Sequence, residues 1–344
     1  MAAESGYAYD GYKAANYNVF CSYKYVIEML DDDFLSLDSH YGSDGEGFWN
    51  GRKRALVKAM QNVDFLVCAN QHIAEKYAKL GGVNGTYVFK TPMNIQEFVE
   101  PILTDEKVKI VYYVNDGTTG MFEKFLRPSL PYISKTIGNK VVFYFMALKP
   151  DMSEYNGSLE YHYVPHMSYE EFIQYFKDMQ FDVGLAPLDD SEFSRSKYIN
   201  KYVEYTRGGI AGIYSDCELY RTVIKDGYNG ILCRGAGDNW GKAIESLVNN
   251  SRLRLSVAKN AQKYAEEYFS EEEVLAEFVK KVPVLTDYKA SEHTVSEFRL
   301  AFFKLYHKLI FRPCGWINTL YCCVKNGKSA MIPGRLKRRI LKKK

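Results

Sequence analysis

Residues 181–230 read FDVGLAPLDDSEFSRSKYINKYVEYTRGGIAGIYSDCELYRTVIKDGYNG. The apolar run from Val183 to Leu188 has the length and polar flanks of a buried strand. A polar loop with Arg195 and Lys197 follows it. Lys201 and Glu204 then lie on a segment of helical character, which Gly208-Gly209 breaks before a second short apolar run. The unit is strand, loop, helix, strand, with cations and one carboxylate at the mouth of a sheet. Open α/β sheets bind ligands outside the carboxyl ends of their strands. A diphosphate at that edge calls for cations and free backbone N–H groups. A ribose diol calls for a carboxylate that accepts two hydrogen bonds.

Upstream of this stretch, strands are predicted at Tyr25 to Leu30, Asp64 to Cys68, Tyr87 to Lys90, Val108 to Val114, Val141 to Leu148 and Tyr161 to Val164. Helical segments are predicted at Arg52 to Met60 and Gln71 to Leu80. Another follows a capping box at Ser168 and Glu171, with Phe172, Tyr175 and Phe176 as its apolar face. Asn115-Asp116-Gly117-Thr118-Thr119-Gly120 is a turn that opens a helix. After Gly230, helices are expected over Trp240 to Val248, Arg254 to Tyr268 and Ser270 to Val279. Strands and helices alternate, which predicts a parallel sheet covered on both faces.

The order and density of motifs in 181–230 resemble the donor-binding half of the retaining GT-B glycosyltransferases of group 1, a GT4-like family. The matching residues are Leu185-Ala186-Pro187-Leu188, Phe193 to Lys197, Lys201 to Tyr205, Gly209 to Ile213 and Asp226-Gly227-Tyr228-Asn229-Gly230. Earlier, Asp31 to Asp33, Asp64 to Asn70 and Pro92 to Ile95 are similar to the later part of that family's first domain. Two positions depart from the pattern. Ala211 stands where the family has proline, and Ser196 where it has the first of two paired glutamates; Glu204 is the second.

The resemblance implies an α/β, GT-B type fold with two Rossmann-like domains facing a cleft. Residues 1–105 would form a truncated acceptor-side domain, 106–285 the nucleotide-sugar domain, and 286–344 a C-terminal helix with a basic amphipathic tail. It also implies a site. Glu204 would hold the ribose, with Lys201 beside it in the nucleotide-binding set. Lys197 and Arg195 would stabilise the leaving diphosphate. Gly117 and Thr118 would offer backbone N–H groups to a phosphate, and Val164 and Pro165, before His166, would read the base. Ser196, Ser215 and Asp216 would face the donor sugar, and Asp32 and Asp33 the acceptor side. Plainer readings of the same residues stand beside these. Glu204 could pair with Lys201 or Lys197 as a solvated helix carboxylate, and Ser215 and Asp216 could serve a turn. Asp31 and Asp33 also fit the two-carboxylate metal motif of the GT-A enzymes.

The implied activity is transfer of a sugar from a nucleotide-sugar donor to a polysaccharide or lipid-linked acceptor, with retention. No metal and no other cofactor is expected. The alternative is a non-catalytic GT-B-like subunit that binds a nucleotide sugar or a partner glycosyltransferase. Charge adds a further expectation. Thirteen Lys or Arg follow Glu297 and no Asp or Glu does, leaving 32 basic against 42 acidic residues in the rest of the chain. Lys304, Lys308, Arg312, Trp316, Arg335, Lys337, Arg338 and Arg339 lie in this tail among aromatic residues. That pattern predicts binding to an anionic membrane surface at the inner, cytoplasmic face, and no RNA-binding motif accompanies it. The seven cysteines show no C-x-x-C spacing, which favours reduced thiols over zinc or disulfides. The first residues do not read as a signal peptide.

Overall fold

In a computed structural model of the chain, the structure describes residues 27–36, 53, 56–61, 63–103, 106–114 and 119–282. These fall into two compact units. One comprises the described residues up to Val67 and Ala74–Thr86; the other comprises Cys68–Ile73 and the described residues from Tyr87 onward. Gly117, Thr118 and every basic or aromatic residue assigned above to the membrane tail lie outside the described residues.

A three-stranded sheet in the order β1-β2-β3 is formed by β1 (Ile27–Leu30), β2 (Phe65–Cys68) and β3 (Gly85–Val88), with helix α1 (Gln71–Ala78) between the last two. Its first unit packs Leu30, Leu56, Met60, Leu66 and Tyr77, each no more than 2% exposed. Asp33, after β1, is fully buried there. It accepts from Lys76 Nζ (2.7 Å), Tyr77 Oη (2.9 Å) and the Leu35 N–H (3.0 Å). Burial pushes its carboxyl up, but the hydrogen bonds from Lys76, Ser36 and Tyr77 and the Lys76 charge outweigh that and hold it below its ordinary value. Asp33 thus anchors its own loop.

The second unit is a six-stranded, wholly parallel sheet: β4 (Val108–Tyr113), β5 (Val141–Met146), β6 (Glu160–Val164), β7 (Val183–Ala186), β8 (Ala211–Ser215) and β9 (Ile231–Cys233). The spatial order is β6-β5-β4-β7-β8-β9, the doubly wound order in which the chain reverses at its first strand. Both faces of β4 are covered, as its unbroken apolar run requires. Val108, Ile110 and Tyr112 join one core with α2 (Leu130–Ile137) and, further along the chain, Trp240, Ile244 and Leu247. Val111 and Tyr113 join the other, with α3 (Tyr169–Met179) and, across the single turn α4 (Glu192–Arg195), helix α5 (Asn200–Arg207). The chain closes with α6 (Glu218–Arg221), α7 (Asp238–Asn249), α8 (Ser251–Tyr268) and α9 (Glu271–Lys281).

Several elements differ in extent from the sequence reading, for local reasons. β7 stops at Ala186 because Pro187 has no N–H to give a ladder. β5 stops at Met146 because Ala147 turns to φ 56°. The residues from Phe193 to Lys197 are partly helical, since Ser191 caps α4 by accepting from the Ser194 N–H. β9 went unread: its three residues carry no periodicity. The helix before α2 passes through a π-turn, Phe122–Leu126, ahead of Pro128.

Gly184 and Gly212 pair in register on β7 and β8, beneath the rings of Tyr205 and Tyr214. A methyl at Gly184 would stand 2.6 Å from the Tyr205 ring, whereas one at Gly120 meets nothing within 4 Å. Gly184→Ala is therefore expected to destabilise the fold by about 1–3 kcal/mol, seen as a lower urea midpoint. Gly120→Ala should leave the midpoint unchanged or raise it.

Candidate functional site

The reversal of strand order lies between β4 and β7, and a cavity of about 550 Å³ opens at the carboxyl ends beside it. That volume is in the range of small-molecule sites. Tyr113, which ends β4, and Val114 after it line the cavity, as do Met146, which ends β5, and Ala147 after it. Pro165 and His166, after β6, form a rim, and Tyr169 and Phe172 of α3 a wall. The capping box predicted at Ser168 is present in both directions and fixes where α3 begins. Ala147 holds the left-handed conformation without being glycine, a strained choice of the kind that clusters at functional sites. Its N–H is fastened to the Val164 carbonyl at 2.9 Å.

Helix α5 supplies Asn200 and Glu204 to the same cavity. Tyr202, Val203, Tyr205 and Thr206 bury its other faces, so the helix cannot rotate Glu204 away. Glu204 Oε2 is buried and has no hydrogen-bond partner. Burial pushes this carboxyl up to about 8, against the opposing pull of Arg207. Glu204 also lines a neighbouring cavity of about 230 Å³ with Arg207, Lys177 and Phe176.

Lys201 lies one turn earlier on α5. Its ammonium donates to the Tyr113 carbonyl and sits 3.5 Å from the centroid of the Tyr113 ring. Burial first, and then the charge of Lys197, bring its pKa down to about 7. The end of β4 therefore carries a cation brought to it by another helix.

The other residues singled out from the sequence are placed as follows. Arg195, the last residue of α4, is exposed, and Lys197, on the loop joining α4 to α5, is half-buried; neither is among the residues lining the larger cavity. Lys197 Nζ stands 4.5 Å from the Phe193 ring centroid. Ser196 is fully buried and its hydroxyl donates to the Glu192 carbonyl (2.9 Å). Ser215 is buried and its Oγ accepts from the Leu188 N–H (2.8 Å), tying β8 to the loop after β7. Asp216 is gripped at 2.6 Å by both Arg221 and Arg234, and those bonds hold its carboxyl below the usual range. Val164 ends β6 next to Pro165. Asp32 and Asp33 belong to the other unit. The cavity thus brings together Glu204 and Pro165, with Lys201 beside them. Tyr113, Ala147, Tyr169, Phe172 and Asn200 were not legible as site residues. An aromatic at a strand end and an alanine at a helix-free corner have no signature beyond core packing. Among the described residues no group of His, Cys, Asp or Glu is arranged to hold a metal, and no helix is long and apolar enough to cross a membrane.

The fold is that of the GT-B glycosyltransferases. Among solved structures, the chain is similar to HepE of Anabaena in complex with UDP-glucose, at 13% identity and a TM-score of 0.55, over 80% of this chain and 77% of that one. It is similar to the lipopolysaccharide outer core galactosyltransferase WaaB at 16% identity and TM-score 0.50, over 80% and 79%. TarM of S. aureus, in complex with UDP, gives 13% identity and TM-score 0.50 over 66% of this chain; the chain spans 46% of TarM. No family model matches the chain and no curated protein matches it by sequence.

The buried groups of α5 make stability depend on pH with opposite signs. Glu204 holds its proton more tightly folded than unfolded. Its contribution is complete below the ordinary value of 4.5 and is lost as pH rises to about 8. Lys201 holds its proton less tightly folded, so stability is regained from about 7 towards 10.5. The melting temperature of the wild type, measured relative to Glu204→Gln, should fall between about pH 4.5 and about pH 8. A constant difference across that range would contradict a buried, unpartnered Glu204.

Proposed function

We propose that this chain is a glycosyltransferase that moves a sugar from a nucleotide-sugar donor to a polysaccharide or lipid-linked glycan acceptor. The observation that carries this reading is the Glu204 oxygen, buried without a partner in the wall of a cavity at the strand-order reversal. An unsatisfied buried acceptor costs about 1–3 kcal/mol, and a ligand hydroxyl pair would relieve it. The ribose of a nucleotide has that pair. The base would lie against the rim at Val164 and Pro165, and the diphosphate near the end of β4, with Gly117 and Thr118, which lie outside the described residues, kept as candidates for it on the motif resemblance alone. HepE and TarM have each been seen with UDP or a UDP-sugar, which supports a nucleotide sugar as the donor.

As the bond from sugar to diphosphate breaks, negative charge builds on the leaving group. Lys201, Lys197 and Arg195 would stabilise that charge in place of a metal, most strongly in the transition state. Retention of configuration and a GT4-like relationship belong to this proposal through the motif resemblance. So does attachment of the basic tail to anionic lipid at the inner face of the membrane.

A second reading is favoured by Ser196 and Asp216. Ser196 stands at the position of a sugar-facing glutamate, but its hydroxyl is spent on Glu192, and Asp216 is closed between two arginines. A chain that binds the nucleotide sugar and completes its chemistry with a partner subunit accounts for both.

Thermal unfolding with UDP, GDP, dTDP or CDP tests the shared premise. One of them should stabilise the wild type, by about 2.7 kcal/mol at a hundredfold excess over its Kd, without added metal. Glu204→Ala should lose that response. Purified chain that then transfers sugar alone, with kcat lowered about 10²–10³-fold in Lys201→Ala, would exclude the partner-dependent reading. Stabilisation by none of the four would refute the nucleotide site.

A further inference from the structure

The loop from the end of α4 at Arg195 through Lys197 is gripped by a residue that lines neither cavity around Glu204. Asn70 follows β2 and is 9% exposed. Its Nδ2 donates to the Arg195 carbonyl at 3.1 Å and to the Lys197 carbonyl at 2.9 Å. Its Oδ1 accepts from the Ile73 N–H at 3.0 Å and so caps the first turn of α1. The two carbonyls flank Ser196, so the arc of the loop is held at both ends by one amide group. The next residue is held as well. Tyr198 Oη accepts from the Thr91 N–H at 2.6 Å, and its ring stacks on Phe89 at 5.0 Å and 13°.

This loop needs such support. Lys197 is near enough to Lys201 for its charge to help lower the pKa of the latter, and like charges at that range push apart. Cations that act in a transition state are effective only when held in place beforehand. We propose that Asn70 is a positioning residue: by fixing the carbonyls on either side of Ser196, it aims Arg195 and Lys197 at the diphosphate of a bound nucleotide. The inference rests on the nucleotide-sugar reading above. It also explains the residue type. Only a primary amide offers two N–H donors and one acceptor together. Serine has one donor, aspartate has none, and glutamine is longer by a methylene.

Asn70→Asp separates the two roles of this side chain. It keeps the size and the acceptor that caps Ile73, which aspartate serves well, and removes both donors to the loop. Asn70→Ser provides a second variant with a capping oxygen. Trypsin cuts after Arg195 and Lys197, and so reads the loop with no nucleotide present. Cleavage at these two bonds should be about tenfold faster in Asn70→Asp than in the wild type, read at a temperature well below the melting point of either, because a carboxylate facing two carbonyl oxygens also lowers that melting point. UDP, GDP, dTDP and CDP, each beside its parent nucleoside, then read the aim of the cations. The diphosphate that binds the wild type should bind the uncharged Asn70→Ser, as well as Asn70→Asp, about tenfold more weakly, while the nucleoside binds all three alike. Unchanged cleavage would overturn the proposal, and so would faster cleavage with unchanged diphosphate affinity. An equal loss of diphosphate and nucleoside would assign Asn70 to general stability and overturn it too. Faster cleavage in a chain whose wild type binds none of the four would overturn the nucleotide reading, leaving Asn70 as a support of the loop alone.

Discussion

Parallel strands joined by right-handed crossovers cannot all send their connections to the same face of a sheet when the strand order reverses. In this chain the order runs outward from β4 through β5 to β6, then returns to the other side of β4 and runs outward again through β7, β8 and β9. The segments leaving β4 and β7 therefore diverge, and a crevice is left at the carboxyl ends that no helix can fill. The rest of the site follows from that gap. Tyr113 ends β4 beside it, and Ala147 turns sharply out of β5 at its floor. The α5 helix, pinned through Tyr202, Tyr205 and its other buried residues, brings Lys201 and Glu204 to it.

The sequence made this architecture legible because parallel strands buried on both faces are near-continuous apolar runs, and Val108 to Val114, Val141 to Leu148 and Val183 to Leu188 are such runs. The capping box at Ser168 and the turn at Asp226 to Gly230 punctuated them. Glu204 could be singled out because a carboxylate stands in a dense cluster of motifs. Other features could not be read, for reasons specific to each. Ala147 adopts its left-handed backbone only because β5 and β6 fix it, and nothing in the alanine announces that. Ser196, Ser215 and Asp216 lie in the same stretch, and each bonds within the protein, to Glu192, to Leu188, and to Arg221 and Arg234 respectively. A sequence states which groups are present, not which partners they bond. Asn70 shows the converse: its partners lie 125 and 127 residues away, beyond any local pattern.

The helix α5 departs from what an isolated helix with this sequence would do. Lys201 and Glu204 are three residues apart on one face, a spacing at which opposite charges normally pair. Instead Lys201 gives its ammonium to the Tyr113 carbonyl, and Glu204 Oε2 has no partner. Each group is buried, and burial drives each towards its uncharged form, the carboxyl to about 8 and the amine to about 7. A fold selected for stability alone would close this pair or replace both side chains with apolar ones. Holding them apart, one at the end of β4 and one in the cavity wall, costs stability, and a ligand with an anionic part and hydroxyl donors would recover both contributions at once. A nucleoside diphosphate, the ligand proposed for this site, carries those two features at opposite ends of its ribose phosphate. One short helix, its two polar groups kept from each other, thus couples the strand reversal to the ligand proposed for the crevice.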